Sequence, residues 1–125
     1  MTTSPHSIGR EQTLERAHEV MRTHQIRHLP VLEGGQLVGI VTERDLHLVE
    51  TLRDVDPSEV TVEDAMSTHI YAVEPSTPLD VVAETLAEHK YGSAVVLQNG
   101  KVVGIFTTND ACRALAELLH SRLAK

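Results

Sequence analysis

The chain has 125 residues, 41% of them hydrophobic, which suffices for one ordinary core or for two small cores that share an interface. Its net charge of −7 argues against nonspecific nucleic-acid binding, which needs clustered Lys and Arg, and two Tyr and one Phe are too few for a base-stacking platform. A single cysteine excludes a disulfide framework, and the sequence has neither a long apolar run nor an apolar leader, so we expect a cytoplasmic protein without a membrane partner.

The first half of the chain predicts a strand, a helix, two strands and a second helix. Helical spacing of apolar residues and a Gly-rich turn between short apolar runs carry this prediction. The predicted elements are a strand near 6–8, a helix over 13–24, strands over 28–32 and 37–41 around a turn at 33–35, and a helix over 43–52. Residues 53–59, rich in Asp and Pro, are predicted to form a linker.

The second half predicts the same order after one short helical turn at 62–66. Its predicted elements are a strand over 70–73, a helix over 78–89, strands over 93–97 and 102–106 around a turn at 98–100, and a helix from 108 to about 123. Thr77 is expected to cap the first of these helices, with Pro78 at the first helical position.

The two halves are copies of one unit, because residues 1–60 align with 66–125 at a constant offset of 65 without a gap. Identical pairs are Leu14/Leu79, His24/His89, Gly39/Gly104, Thr42/Thr107 and Asp45/Asp110. We assign the first repeat to 1–60, with a linker over 53–61, and the second to 62–125. The pattern predicts an α+β fold in which two pseudo-symmetric β-α-β-β-α units pack through their sheets into one body. The functional cleft is expected between the copies.

The sharpest local motif is Gly, two apolar residues, Thr, two variable residues and Asp, at 39–45 and again at 104–110. A Thr followed by an acid three residues later, before an apolar run, is typical of a helix capping box. A hydroxyl and a carboxylate at a helix N-terminus also suit a ribose diol, with the helix dipole close by for phosphate. The sequence leaves both interpretations open, and they are compatible.

At these residues the chain resembles a known family. The stretches HLPVL-x-GG-x-LVGIVTERDL and VVL-x-NG-x-VVGIFTTND look like a tandem pair of CBS domains, also called a Bateman module, and the resemblance covers nearly the whole chain. It implies a regulatory module, not an enzyme, that binds adenosine-containing ligands in clefts between its copies. The implied ligands are AMP, ADP or ATP, with S-adenosylmethionine or NAD(H) as further options, and no cofactor is required.

The resemblance also implies site residues, carried over by position. Thr42, Asp45, Thr107 and Asp110 would hold the ribose, Ile8 and Val73 would flank the base, and Arg27, His28, Leu29, Pro30, Tyr91, Ser93 and Ala94 would face base and phosphate. Arg27, His28 and Arg44 place ionisable groups in the first copy, where the second has Gly92, Ser93 and Asn109. Because charge-assisted bonds to phosphate are the stronger ones, the first site is expected to prefer phosphorylated ligands.

Two functions of different classes remain open at this point. The first is a nucleotide sensor that signals to an effector protein in trans, with homodimerisation through its helices implied by the resemblance. The alternative is a protein–protein interaction or dimerisation module with unused clefts. The presence of Gly, Thr and Asp in both copies favours the first.

Metal binding and catalysis find little support in the sequence. His18, His24 and His28 do not share one helical face, so no metal site is predicted. Cys112 is expected to be buried on the apolar side of the last helix. The sequence contains no P-loop or GxGxxG motif, and we expect no catalytic residues.

Overall fold

The computed structural model describes residues 2–3, 5–53 and 56–123, so residues 54 and 55 of the predicted linker lie outside the described residues. The first copy contains β1 (Thr2–Thr3), β2 (Ile8–Gly9), α1 (Leu14–His24), β3 (His28–Glu33), β4 (Gln36–Thr42) and α2 (Glu43–Arg53). The second copy contains α3 (Val62–Ala65), β5 (Ala72–Val73), α4 (Leu79–His89), β6 (Ser93–Gln98), β7 (Lys101–Thr107) and α5 (Thr108–Leu123).

The strands form two sheets, one for each copy. The first has the order β2-β3-β4 and the second the order β1-β7-β6-β5. β2 pairs parallel with β3, and β5 pairs parallel with β6; in each copy a hairpin with a two-residue turn then adds an antiparallel strand. This architecture confirms the predicted α+β fold of two β-α-β-β-α units.

The copies are joined by exchange of their leading segments. Thr2 in β1 pairs with Ile105 of the second copy, and the matching residue Ser67 pairs with Ile40 of the first. The Ser67 pairing is a complete two-bond bridge, with N···O distances of 2.8 and 2.9 Å. Ile40, Val95 and Ile105 pack together where the two sheets meet. The copies therefore pack through their sheets, as the sequence predicts.

The two long helices that follow the leading strands begin differently. Thr13 caps α1, and its side-chain oxygen accepts from the Arg16 N–H at 3.1 Å. In the second copy the prediction of a Thr77 cap is wrong: the cap position is Pro78, with ψ of 138°, and it makes no side-chain cap bond. The helix therefore begins at Leu79, because the Pro78 backbone is still extended.

The short helix α3 packs against the first copy although it belongs to the second repeat in sequence. Val62 is fully buried in the first core, and Leu14 N–H donates to the Val60 carbonyl at 2.9 Å. The sequence repeat therefore changes before α3, whereas the packing changes from the first core to the second only after α3. Among the described residues, the first core includes Ile8, Leu14, Ala17, Met21, Leu29, Val31, Val41, Leu46, Val62 and Ala65, and the second Val82, Leu86, Ala94 and Phe106.

Candidate functional site

Both Thr-x-x-Asp motifs form reciprocal capping boxes at the start of a helix. Thr42 N–H donates to Asp45 Oδ2 at 2.9 Å, and Asp45 N–H donates to Thr42 Oγ1 at 3.1 Å. Thr107 and Asp110 repeat this geometry at 2.9 and 3.2 Å. One oxygen of each carboxylate is thus used by the backbone, which fixes the direction of the other, Oδ1. All four residues remain partly exposed.

A cavity of about 640 Å³ lies between the copies, and we call it the larger cleft. One wall comes from the first copy and the other from the motif and helix of the second. Its lining residues are Pro5, His6, Gln25, Ile26, Arg27, His28, Ile105, Thr107, Thr108, Asn109, Asp110, Cys112 and Arg113. This cleft thus combines Arg27 from the first copy with Asp110 and Arg113 from the second, and Ile26 and Ile105 are apolar members of its lining.

A second cavity, the smaller cleft, has about 100 Å³ and is related to the first by the repeat. Its lining residues are His28, Ile40, Thr42, His69, Ile70, Tyr71, Tyr91, Gly92 and Ser93. Subtracting 65 from Tyr91, Gly92 and Thr107 gives Ile26, Arg27 and Thr42, so the walls match by position. The two clefts are therefore equivalent in the fold and unequal in volume and charge.

The structure groups the charged residues across the copies. Arg27 of the first copy borders the cleft that contains Asp110 of the second. The Arg27 carbonyl also accepts from the Glu43 N–H of the first-copy motif at 3.0 Å, so Arg27 lies between that motif and the larger cleft. Each cleft combines the strand entry of one copy with the helix start of the other, because the sheets pack around a pseudo-two-fold axis.

His28 lies between the two motifs and borders both clefts. Burial lowers the pKa of His28 below its ordinary value of 6.5; the carboxylates of Asp45 and Asp110 act to raise it, and the guanidinium of Arg27 acts to lower it. The imidazole is therefore neutral at neutral pH. A neutral ring can accept one hydrogen bond and donate another, whereas a phosphate placed beside it would favour the charged form.

Several predicted site residues belong to the cores and line neither cleft. Ile8, Leu29, Pro30 and Ala94 are buried, and Val73 packs against the second core. Arg44 is exposed and Asp45 is partly buried, and neither borders the two cavities. The predicted residues that do line a cleft are Arg27, His28, Thr42, Tyr91, Ser93, Thr107 and Asp110.

Sequence reasoning missed Arg113 and misplaced Cys112. Arg113 borders the larger cleft one helical turn after Asp110, and this spacing of three residues is a signal that could have found it. Cys112 was expected to be buried, but it is exposed and borders the same cleft. From Cys112 to Arg122 every residue of α5 is exposed, so this helix offers no buried side on which Cys112 could pack.

A third cavity, of about 610 Å³, is lined by the first copy alone. It is bordered by His18, Met21, Arg22, Gln25, Ile26, Arg27, Glu43 and His47. Because it contains neither the Thr nor the Asp of either motif, we place the candidate site in the larger cleft. Within 2–3, 5–53 and 56–123, no three His, Cys, Asp or Glu side chains are grouped for a metal ion. None of the described helices combines the length and apolarity of a membrane span.

The fold is that of a tandem α+β module, in which two clefts lie between two pseudo-symmetric units. The profile of the CBS domain family matches residues 1–49 and 62–117. The chain therefore belongs to the CBS domain family, as a pair of such domains.

Solved structures and curated relatives agree with this assignment. A protein named AcuB from Vibrio cholerae has 31% identity and a TM-score of 0.86, covering 100% of this chain and 93% of that one. CBS domain-containing protein YhcV of Bacillus subtilis is 29% identical over 110 residues, 88% of this chain and 78% of that protein. The CBS domain pair of protein MJ0100, in complex with 5′-methylthioadenosine and S-adenosyl-L-methionine, has 25% identity and a TM-score of 0.82, covering 91% of this chain and 93% of that one.

Proposed function

We propose that the chain is a regulatory module that binds an adenosine-containing nucleotide of the AMP, ADP or ATP class between its CBS units and signals to a partner in trans. The observation that carries the proposal is the larger cleft, in which Asp110 and Thr107 of one copy face Arg27 and His28 of the other. Its volume of about 640 Å³ falls inside the usual range of about 300–1,000 Å³ for small-molecule sites.

Each wall of the larger cleft has a chemical task in this proposal. Asp110 Oδ1 accepts from a ribose hydroxyl, while Oδ2 keeps its bond to the Thr107 N–H. The apolar lining residues Ile26 and Ile105 receive the base. Arg27 and Arg113 bind phosphate oxygens, for which a guanidinium offers paired donors. The cleft thus offers a partner for the ribose, the base and the phosphate of a nucleotide.

The relatives support an adenosine ligand and leave its identity open. The CBS pair of MJ0100 is in complex with two adenosine compounds, 5′-methylthioadenosine and S-adenosyl-L-methionine. Those compounds carry no phosphate, whereas the larger cleft of this chain has two arginines. We therefore favour AMP, ADP or ATP, and keep S-adenosylmethionine and NAD(H) as competitors in the test.

Signalling follows from the position of the ligand between the copies. A nucleotide that touches both copies favours the relative arrangement that it fits best, by its difference in affinity between arrangements. The helices that cover the outer faces of the sheets move with the copies. A partner protein that binds one arrangement better would then respond to the nucleotide.

A second candidate function is pairing with a second copy of the chain. The observation that favours it is an apolar face on α5, formed by Leu115, Leu118 and Leu119 with exposed fractions of 55%, 52% and 48%. These leucines share one side of the helix because they are spaced three and four apart. A face of one chemical kind is complementary to itself, as a two-fold symmetric dimer requires. Dimerisation and nucleotide binding are compatible.

The nucleotide proposal is tested by titration calorimetry and thermal unfolding with AMP, ADP, ATP, NADH and S-adenosylmethionine. A ligand at a hundred times its dissociation constant stabilises the fold by about 2.7 kcal/mol. The informative variant is Asp110→Asn, because the amide oxygen can still accept the cap bond while the charge is lost. We expect its affinity to fall by about tenfold or more, since hydrogen bonds to charged groups contribute roughly 1.5–3 kcal/mol.

The matched control is Asp45→Asn, which makes the same change at the other capping box. Its affinity for the nucleotide should stay close to that of the wild type, because Asp45 does not border the larger cleft. If none of the five compounds raises the melting temperature or gives a binding heat, the nucleotide proposal fails and the dimerisation module is left as the function.

A further inference from the structure

The two clefts differ in free volume and in the side chains at several matching positions, of which one pair differs strongly in size. Ile26 borders the larger cleft, and its counterpart Tyr91 borders the smaller one. The cavity volumes are about 640 and 100 Å³. The phenol ring of Tyr91 is larger than the side chain of Ile26. It therefore fills more of its cleft.

Tyr91 is held in the smaller cleft by three neighbouring rings. Its hydroxyl lies 3.1 Å from His69 Nε2, and its ring stacks on His89 at 5.2 Å between centroids with 13° between planes. Tyr71 lies 5.5 Å away on centroids. A side chain fixed in this way does not swing out to admit a ligand without losing these contacts.

The first copy has two histidines at matching positions around its cleft and no tyrosine at position 26. The counterparts of Tyr71 and His89 are His6 and His24, and these two rings stack directly on each other at 3.5 Å. Ile26 stands at the tyrosine position, and the space in front of it belongs to the larger cleft. The fold therefore tolerates both an open and a filled version of the same site.

The smaller cleft is also narrowed from the opposite side, and none of the described residues that line it is a Lys or an Arg. His28 reaches Gly92 so closely that a Cβ there would lie 3.1 Å from His28 Nε2. The counterparts of Arg27 and Arg113 are Gly92 and Leu48, so the positions that offer guanidinium groups in the larger cleft are uncharged here. Volume and charge both disfavour a nucleotide in this cleft.

We propose that each chain binds a single nucleotide, in the larger cleft only, and that Tyr91 is the residue that closes the second site. This inference rests on the proposed nucleotide function. It adds which cleft is used, how many nucleotides bind per chain, and which residue limits that number. Arg27 gives the larger cleft its preference for phosphorylated ligands, because Arg27 lines that cleft and does not line the smaller one.

The test exchanges the matched residues and counts ligands by titration calorimetry with ATP and with adenosine. The wild type should bind one ATP per chain. Ile26→Tyr should remove that binding, and Tyr91→Ile should raise the stoichiometry towards two, with a weaker second site. Arg27→Gln, at an exposed position, should weaken ATP by about tenfold or more while leaving adenosine nearly unchanged.

The outcomes separate this inference from the proposed function. Two equivalent ATP molecules on the wild type, or full ATP binding by a folded Ile26→Tyr variant, would overturn the inference and leave nucleotide binding intact. No binding of any adenosine compound to the wild type would remove both. Circular dichroism checks the fold of the exchanged variants. If either fails to fold, the wild-type stoichiometry still tests the single site, and the Arg27 variant still tests the preference for phosphate.

Discussion

The aspartates of the two Thr-x-x-Asp motifs cap helices whether or not a ligand is present. Their Oδ2 atoms accept from the Thr42 and Thr107 N–H groups at 2.9 Å in both copies. Loss of such a cap costs about 0.5–2 kcal/mol of stability. Replacement by alanine would therefore mix a folding effect with a binding effect, which is why substitution by asparagine is the better test of the ribose contact.

His28 is expected to make the free energy of unfolding depend on pH, because the ring is partly buried in the folded state. Because burial lowers its pKa in the folded state, the unfolded chain binds a proton more readily than the folded chain. The stabilising contribution of the neutral ring is thus fully present above the ordinary value of 6.5 and is lost as the pH falls towards the lowered folded pKa. We expect the unfolding free energy to fall below pH 6.5 less steeply in His28→Gln than in the wild type.

The measurement is urea unfolding between pH 5 and pH 8 with both proteins. His120→Gln is the matched control, because it makes the same change at an exposed position on α5. Parallel profiles for the wild type and His28→Gln would contradict the assignment of this slope to His28.

At the scale of the elements, α3 makes the two copies unequal. It covers the first core, so Leu14 is fully buried, whereas the matching residue Leu79 is 55% exposed. The Arg10 guanidinium supports the same junction through Glu33 at 2.6 Å and Glu63 at 3.7 Å. Identical residues at equivalent positions thus lie in a core in one copy and at the surface in the other.

This inequality predicts different costs for the same mutation. Leu14→Ala should lower the unfolding free energy by about 2–5 kcal/mol, the usual cost of a cavity in a core. Leu79→Ala should cost less than about 1 kcal/mol, as a substitution at an exposed site does. Chemical denaturation of both variants in dilute protein measures the difference, and equal costs would show that Leu79 is covered in solution.

At the scale of the whole molecule, the apolar face of α5 predicts a dimer. The wild type should sediment with about twice the monomer mass of 13.8 kDa, and Leu118→Glu should return it to the monomer, because a carboxylate in a buried apolar interface loses its hydration. The control is Leu48→Glu, an equally exposed leucine on α2 outside that face. A wild type that stays monomeric at tens of micromolar would exclude this interface.

The elements could be predicted closely, and the grouping of the site residues could not. Periodicity and turn residues place α5 at the bounds that the structure shows and the other long elements within a residue or two. The CBS resemblance predicts Ile8, Leu29 and Ala94 as ligand contacts, but their side chains are buried in the cores. Direction within a strand depends on register, and a shift of one residue exchanges the core face for the cleft face.

The sequence by itself determined the repeat and the α+β class and indicated the capping boxes and the family, because periodicity, turn residues and motif spacing can be read along the chain. Only the tertiary structure decided which copy supplies each wall of a cleft, since the sheets pack with exchanged leading segments and bring Arg27 beside Asp110. It also decided the unequal volumes of the clefts. That difference arises where the Tyr91 ring meets His69, which lies 22 residues earlier in the chain, so only the fold brings the two together.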